Sequence, residues 1–201
     1  MSSQLKVNSI RDTSNNEALT ISSGNVSFNN TISAGTIGSS VTGFTGIKNA
    51  DQWRLTANSD AGTGFLTSNF EQNDSSDFGY IGSAMTESSG VFSFPVTGIW
   101  LIEAIGQFHA TSVAITYAGL HIYTSTNAGS GDTYTGRTIT YANMDDSNYY
   151  QCSVSSHLFD VTNVTTHKVK FYCEKSSSTA RTQGSTTLNL THMTFLRLGD
   201  T

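Results

Sequence analysis

Residues 88–110 read SSGVFSFPVTGIWLIEAIGQFHA and include the chain's only proline. After Gly90, the residues Val91, Phe92 and Phe94 open a strand, Pro95 and Gly98 break it, and Ile99 to Phe108 resumes as a longer strand-forming run. Proline has no N–H to contribute to a ladder, so Pro95 belongs at a strand end or an edge. Glycine reaches backbone conformations closed to other residues, which suits a bend. The stretch reads as strand, tight corner, strand, all heavily buried: the central corner of a β-sandwich.

The rest of the chain points the same way. At 201 residues it is long enough for one full sandwich, or for a domain of about 150 residues with an extension. Only 12% of residues are charged and the net charge is −5; the polar mass is Ser, Thr, Asn and Gly. Long runs of Ala, Leu, Glu and Lys, which favour helices, are absent, while Thr, Val, Ile, Phe and Tyr suit a pleated, half-buried surface. An acidic balance without grouped Lys and Arg excludes a nucleic-acid footprint. No apolar run approaches the roughly 20 residues that span a bilayer, and MSSQLKVNSI lacks a signal-peptide layout. The expectation is a soluble protein made in a cytoplasm, without membrane insertion.

Residues 1–48 read as an N-terminal arm. Its short apolar pieces, carried by Leu5, Val7, Ile10, Leu19, Ile21, Val26, Phe28 and Ile32, are each cut off by Asn, Ser or Gly. Such pieces cannot offset their ordering entropy alone, so the arm is expected to dock on a partner or to intertwine with sister chains. From residue 51 to 201 the segments lengthen into a head domain. WRLTAN, GFLTSNFEQ, the opening block, AITYAGLHIYTST, YYQCSVSSHLFDVTN, HKVKFYCEK and TTLNLTHMTFLRL all read as strands. NSDAGTG, TNAGSGDTYTG and SSSTARTQGS read as loops. Strands at this spacing predict an all-β sandwich or barrel.

Chemistry is sparse. His109, His121, His157, His167 and His192 form no metal-ligand spacing. Ser156, His157 and Asp160 could supply a triad, but no Gly-x-Ser-x-Gly elbow accompanies them. Asp145 and Asp146 are adjacent, where a glycosidase needs two carboxylates facing one bond, so a solvated turn is expected. Asn127 to Asp132 offers oxygen ligands for calcium without the closing Glu of an EF-hand. Were Val161–Val164 a two-residue hairpin turn, Cys152 would stand opposite Cys173. No enzyme and no cofactor is expected.

The block GVFSFPVTGIWLIEAIGQF, followed by AGLHIYTS, SVSSHLFDVTNVTTHKVKFYCE and LTHMTFLRLGD, resembles the globular head shared by complement-type collagenous proteins and tumour necrosis factor. Gly90, Phe92, Pro95, Gly98, Ile99 and Trp100 match that family's corner in order. The resemblance covers residues 51–201 and implies a ten-strand jelly roll assembled as a compact homotrimer. Trp53, Tyr117, Tyr123 and Phe195 are then candidates for the threefold core. It also places Cys152 and Cys173 in opposing sheets as two free core thiols, and calcium sites occur in some members.

LKVNSI, GNVSF, DQWRL, IGSAMTESSG and FPVTGIW are similar to virion proteins of marine tailed bacteriophages. That likeness implies a virion protein, either a tail fibre or adhesin, or a capsid decoration. The arm would hold other virion proteins, and loops 125–136 and 143–150 would meet a host glycan or protein. A jelly-roll carbohydrate-active enzyme is the third reading.

Overall fold

The structure, a computed structural model of the chain, describes residues 9–11, 14–15, 17–22, 25–28, 46–60, 62–112, 115–128, 133–144 and 146–201. It divides into two compact units, residues 1–44 and 45–201.

In the first unit, β1 (Ser9–Arg11), β2 (Glu17–Ser22) and β3 (Asn25–Phe28) pair antiparallel in the order β1-β2-β3. Ile10, Leu19 and Phe28 fall on one row of the register, and Ile21 faces Val26. The short pieces thus pair with one another in one chain, where the sequence reading left their pairing to partners. Each ladder closes over a few residues, so little loop entropy opposes it. Leu5, Val7 and Ile32 lie outside the described residues.

The second unit holds β4 (Ala50–Leu55), β5 (Gly64–Phe65), β6 (Phe70–Gln72), β7 (Thr86–Ser88), β8 (Val91–Ser93), β9 (Gly98–Ala110) and β10 (Ile115–Ser125). They are followed by β11 (Thr135–Thr138), β12 (Ala142–Met144), β13 (Tyr150–Val161), β14 (Lys168–Lys175), β15 (Ala180–Thr182) and β16 (His192–Gly199). One sheet runs β11-β10-β14-β8-β7, with β12 and β5 on its margins; the other runs β13-β9-β16-β4-β6, with β15 attached to β9. The two main paths supply the ten strands of a jelly-roll β-sandwich, and no helix occurs among the described residues.

The corner between β8 and β9 carries the chain from one sheet to the other. Gly90 has φ +80° and Gly98 φ +142°. A Cβ on Gly90 would stand 2.1 Å from the Leu66 carbonyl oxygen, and one on Gly98 would stand 2.4 Å from that of Gly199. Pro95 lies between the strands, where no ladder bond is needed. The Trp100 indole donates to the Val96 carbonyl at 3.2 Å, and Arg197 Nε donates to that of Thr97 at 2.7 Å. These bonds close the bend from both sides.

Phe92, fully buried, is the hub of the core. Its ring meets Trp53, Phe70, Phe171 and Phe195 at centroid distances of 5.4, 5.0, 5.4 and 5.4 Å. Rings in such edge-on or tilted pairs each contribute roughly 0.5–1.5 kcal/mol beyond their area.

Several sequence expectations change. GFLTSNFEQ splits into β5 and β6, with Asn69 at φ 64° just before β6. The final strand begins at His192, and SSSTARTQGS contains β15, paired to β9 at Ala180↔Ala110. The cysteines lie free in opposing sheets, as the resemblance implies, and only the core position of Cys152 and the hairpin pairing are corrected. Between Val161 and Lys168 the chain crosses to the other sheet, so Cys152 faces Gln107 and Cys173 faces Leu120. Both thiols are free, but Cys173 is buried whereas Cys152 is exposed.

Candidate functional site

Strand β13 explains the outward thiol and exposes the first candidate surface. Its inward positions carry Ser153 and Ser155, both buried. Ser153 Oγ accepts from the Leu120 amide at 2.9 Å, and the Ser155 hydroxyl donates to the Leu120 carbonyl at 2.7 Å. The serines therefore tie the two sheets together by satisfying a backbone unit of β10. Period-two alternation then turns Cys152, Val154, Ser156, Leu158 and Asp160 outward, with Val154 52% and Leu158 57% exposed.

The register lines these residues up across the six-stranded sheet. Leu158 faces Leu101, which faces Leu196; Val154 faces Ile105. Between these apolar rows runs a polar one, Ser156–Glu103–Thr194–Gln52. Leu198, 51% exposed, extends the apolar surface along β16.

The outer face of the seven-stranded sheet is different. Tyr117, His121 and Tyr123 on β10 and Tyr172 on β14 form a ladder of rings with Tyr141 and Phe65, at centroid distances of 4.8 Å for Tyr117–Tyr141 and 5.0 Å for both His121–Tyr141 and Phe65–Tyr172. His121 is wholly buried beneath this ladder, neither of its ring nitrogens makes a hydrogen bond of normal geometry, and Nδ1 lies 3.8 Å from the Glu174 carboxylate. Burial pushes its pKa down, opposed by Glu174. The Tyr141 hydroxyl donates to Glu174 at 2.9 Å, which pushes its pKa up to about 12.

Further polar groups brace β4 and β14. Asp51 accepts from the Gln52 amide, the Trp53 indole, Gln72 and the Met85 amide at 2.8–2.9 Å. Arg54, 1% exposed, reaches Glu71, Asp74, Asn73, Ser75 and the Thr186 carbonyl. Buried Lys175 donates to the Ala180 and Ser59 carbonyls at 2.9 and 3.3 Å, and burial lowers its pKa. Asp51 and Arg54 both have their polar atoms engaged within the fold.

The sequence-predicted sites separate. Ser156 and Asp160 point outward while His157 turns to the other face, so they form no triad. Asp146 is exposed and bonds the Ser147 amide at 2.7 Å; Asp145 lies outside the described residues, as do residues 129–132 of the calcium candidate. Among the described residues no group of three or more His, Cys, Asp or Glu could hold a metal. The trimer-core candidates fall in different places: Phe195 is fully buried in the single-chain core, Trp53 packs on Phe92, and Tyr117 and Tyr123 belong to the outer face of the seven-stranded sheet. The strand YYQCSVSSHLFDVTN was read without assigning its faces, because Val154 and Leu158 have one parity and Phe159 and Val161 the other.

No family model matches the chain, and no curated protein matches it in sequence. Its fold does match solved structures. Murine APRIL at pH 8.5 superposes with a TM-score of 0.52 at 11% identity, over 75% of this chain and 98% of that one. Eiger TNF from S. frugiperda gives 0.51 at 9% identity, over 76% and 93%. At such identities the likeness carries the fold alone: a TNF-like jelly roll.

Proposed function

We propose that the chain is a structural protein of a bacteriophage particle: a homotrimeric jelly-roll head that attaches to other virion proteins through its N-terminal strands and meets the host cell. The observation that carries the reading is the inverted pattern of β13, with Ser153 and Ser155 inside and Val154 and Leu158 outside. Outward apolar rows across three strands favour a protein partner over water. A sister chain fits them because one head-to-tail contact, repeated on every copy, closes into a ring. The polar row carrying Glu103 breaks the apolar face and fixes the register of docking. Similarity of the leader and corner motifs to phage virion proteins supports the particle. The exposed tyrosines at 141, 149 and 150 suit contact with a host surface. The reading is of binding, without turnover.

Antibody labelling of intact particles tests the location. Signal at the tail is expected for an attachment head. Signal confined to the shell would convert the assignment to capsid decoration, and unlabelled particles would remove the virion reading.

A further inference from the structure

We propose that a groove on the seven-stranded sheet binds an acidic saccharide, a pyranose ring carrying a carboxylate. The inference deepens the attachment reading and rests on it. The groove arises from the topology of one strand edge. β14 pairs β8 only at Lys168↔Ser93 and Val169↔Phe92, and pairs β5 only at Tyr172↔Phe65 and Cys173↔Gly64. Lys170 stands between those two short partners. The gap opens into a groove of ≈ 570 Å³ lined by Phe65, Val91, Tyr134, Lys168 and Lys170, among others. That is large enough for a sugar unit or two.

The chemistry of the lining selects the ligand. Lys170 Nζ lies 4.4 Å from the centroid of the Phe65 ring and 5.1 Å from that of Tyr134. Lys168 Nζ donates to the Val164 carbonyl at 2.7 Å. Among the described residues neither ammonium has a carboxylate within 4.0 Å. Lys170 thus holds positive charge over aromatic walls, with Lys168 lining the same groove, in a chain whose net charge is −5. Each ammonium has three protons, more than these contacts use. A neutral sugar would engage the rings only, and a bare anion the lysines only. A pyranose carboxylate engages both, laying its C–H face on Phe65 or Tyr134 while the carboxylate takes a charge-assisted bond from Lys170.

The test is calorimetric titration of the full chain with trigalacturonic acid, maltotriose and inorganic sulfate, with the molar mass of each sample measured alongside. Trigalacturonic acid is expected to bind at least about tenfold tighter than the other two, the equivalent of 1.4 kcal/mol. Lys170→Met, which keeps the stem against Phe65, and Tyr134→Leu are each expected to weaken it about tenfold. Cys152→Ser, on the other sheet, is expected to leave it unchanged. Absence of binding to a folded trimer, equal affinity for sulfate, or unchanged affinity in Lys170→Met would each overturn the site. A monomer that binds trigalacturonic acid through Lys170 would keep the site and sink the assembly reading instead.

Discussion

Gly98 shows how much of this fold hangs on single residues. Its φ of +142° and the Gly199 carbonyl 2.4 Å from any added Cβ leave no room for alanine by either backbone or packing. Gly98→Ala is expected to cost about 2–4 kcal/mol, read as a lower urea midpoint; a loss within 0.5 kcal/mol would contradict the corner geometry. His121 makes a second prediction. Burial holds its folded pKa below the unfolded value of about 6.5, so the unfolded chain binds the proton first as pH falls. Its contribution to stability is complete above pH 6.5 and declines from there toward the folded pKa. His157 and His192 are lowered in the same direction. The melting temperature should therefore be flat from pH 8 to 7 and fall below 6.5, and His121→Phe should flatten part of that fall. An equal fall in the variant would show that protonation of His121 is not involved.

At the scale of the element, β13 decides which surface faces outward. Cys152 and Cys173 report its parity directly. In a Leu158→Asp variant, a thiol reagent is expected to modify one cysteine per chain natively and both in urea; two reacting thiols in the folded state would mean that Cys173 is not in the core. The corner was legible in the sequence because its glycines and proline are dictated by local backbone geometry, which a short window contains. The long strands were legible from alternation. The parity of β13 was not, because SVSSHL puts its apolar residues outside and its serines on a backbone unit of β10, a partner more than 30 residues away. The groove was hidden for a related reason: it exists where two short strands fail to meet along β14, and residues from distant segments, Phe65, Val91 and Tyr134 among them, complete it. Lys168 and Lys170 alternate with buried Val169 and Phe171, the pattern of any half-buried strand.

At the scale of the whole molecule, the two sheets have outer faces of opposite character, one apolar in rows and one a ladder of rings beside a cationic groove. The first is proposed to meet sister chains and the second a ligand. The most direct test is the solution mass of the purified chain by light scattering, measured for the wild type and for Leu158→Asp. The wild type is expected at three times 21.5 kDa. A monomer is expected for the variant, which places a carboxylate in the apolar row beside Leu101. A monomeric wild type, or a trimer that survives Leu158→Asp unchanged, would contradict the claim that this face holds the assembly together.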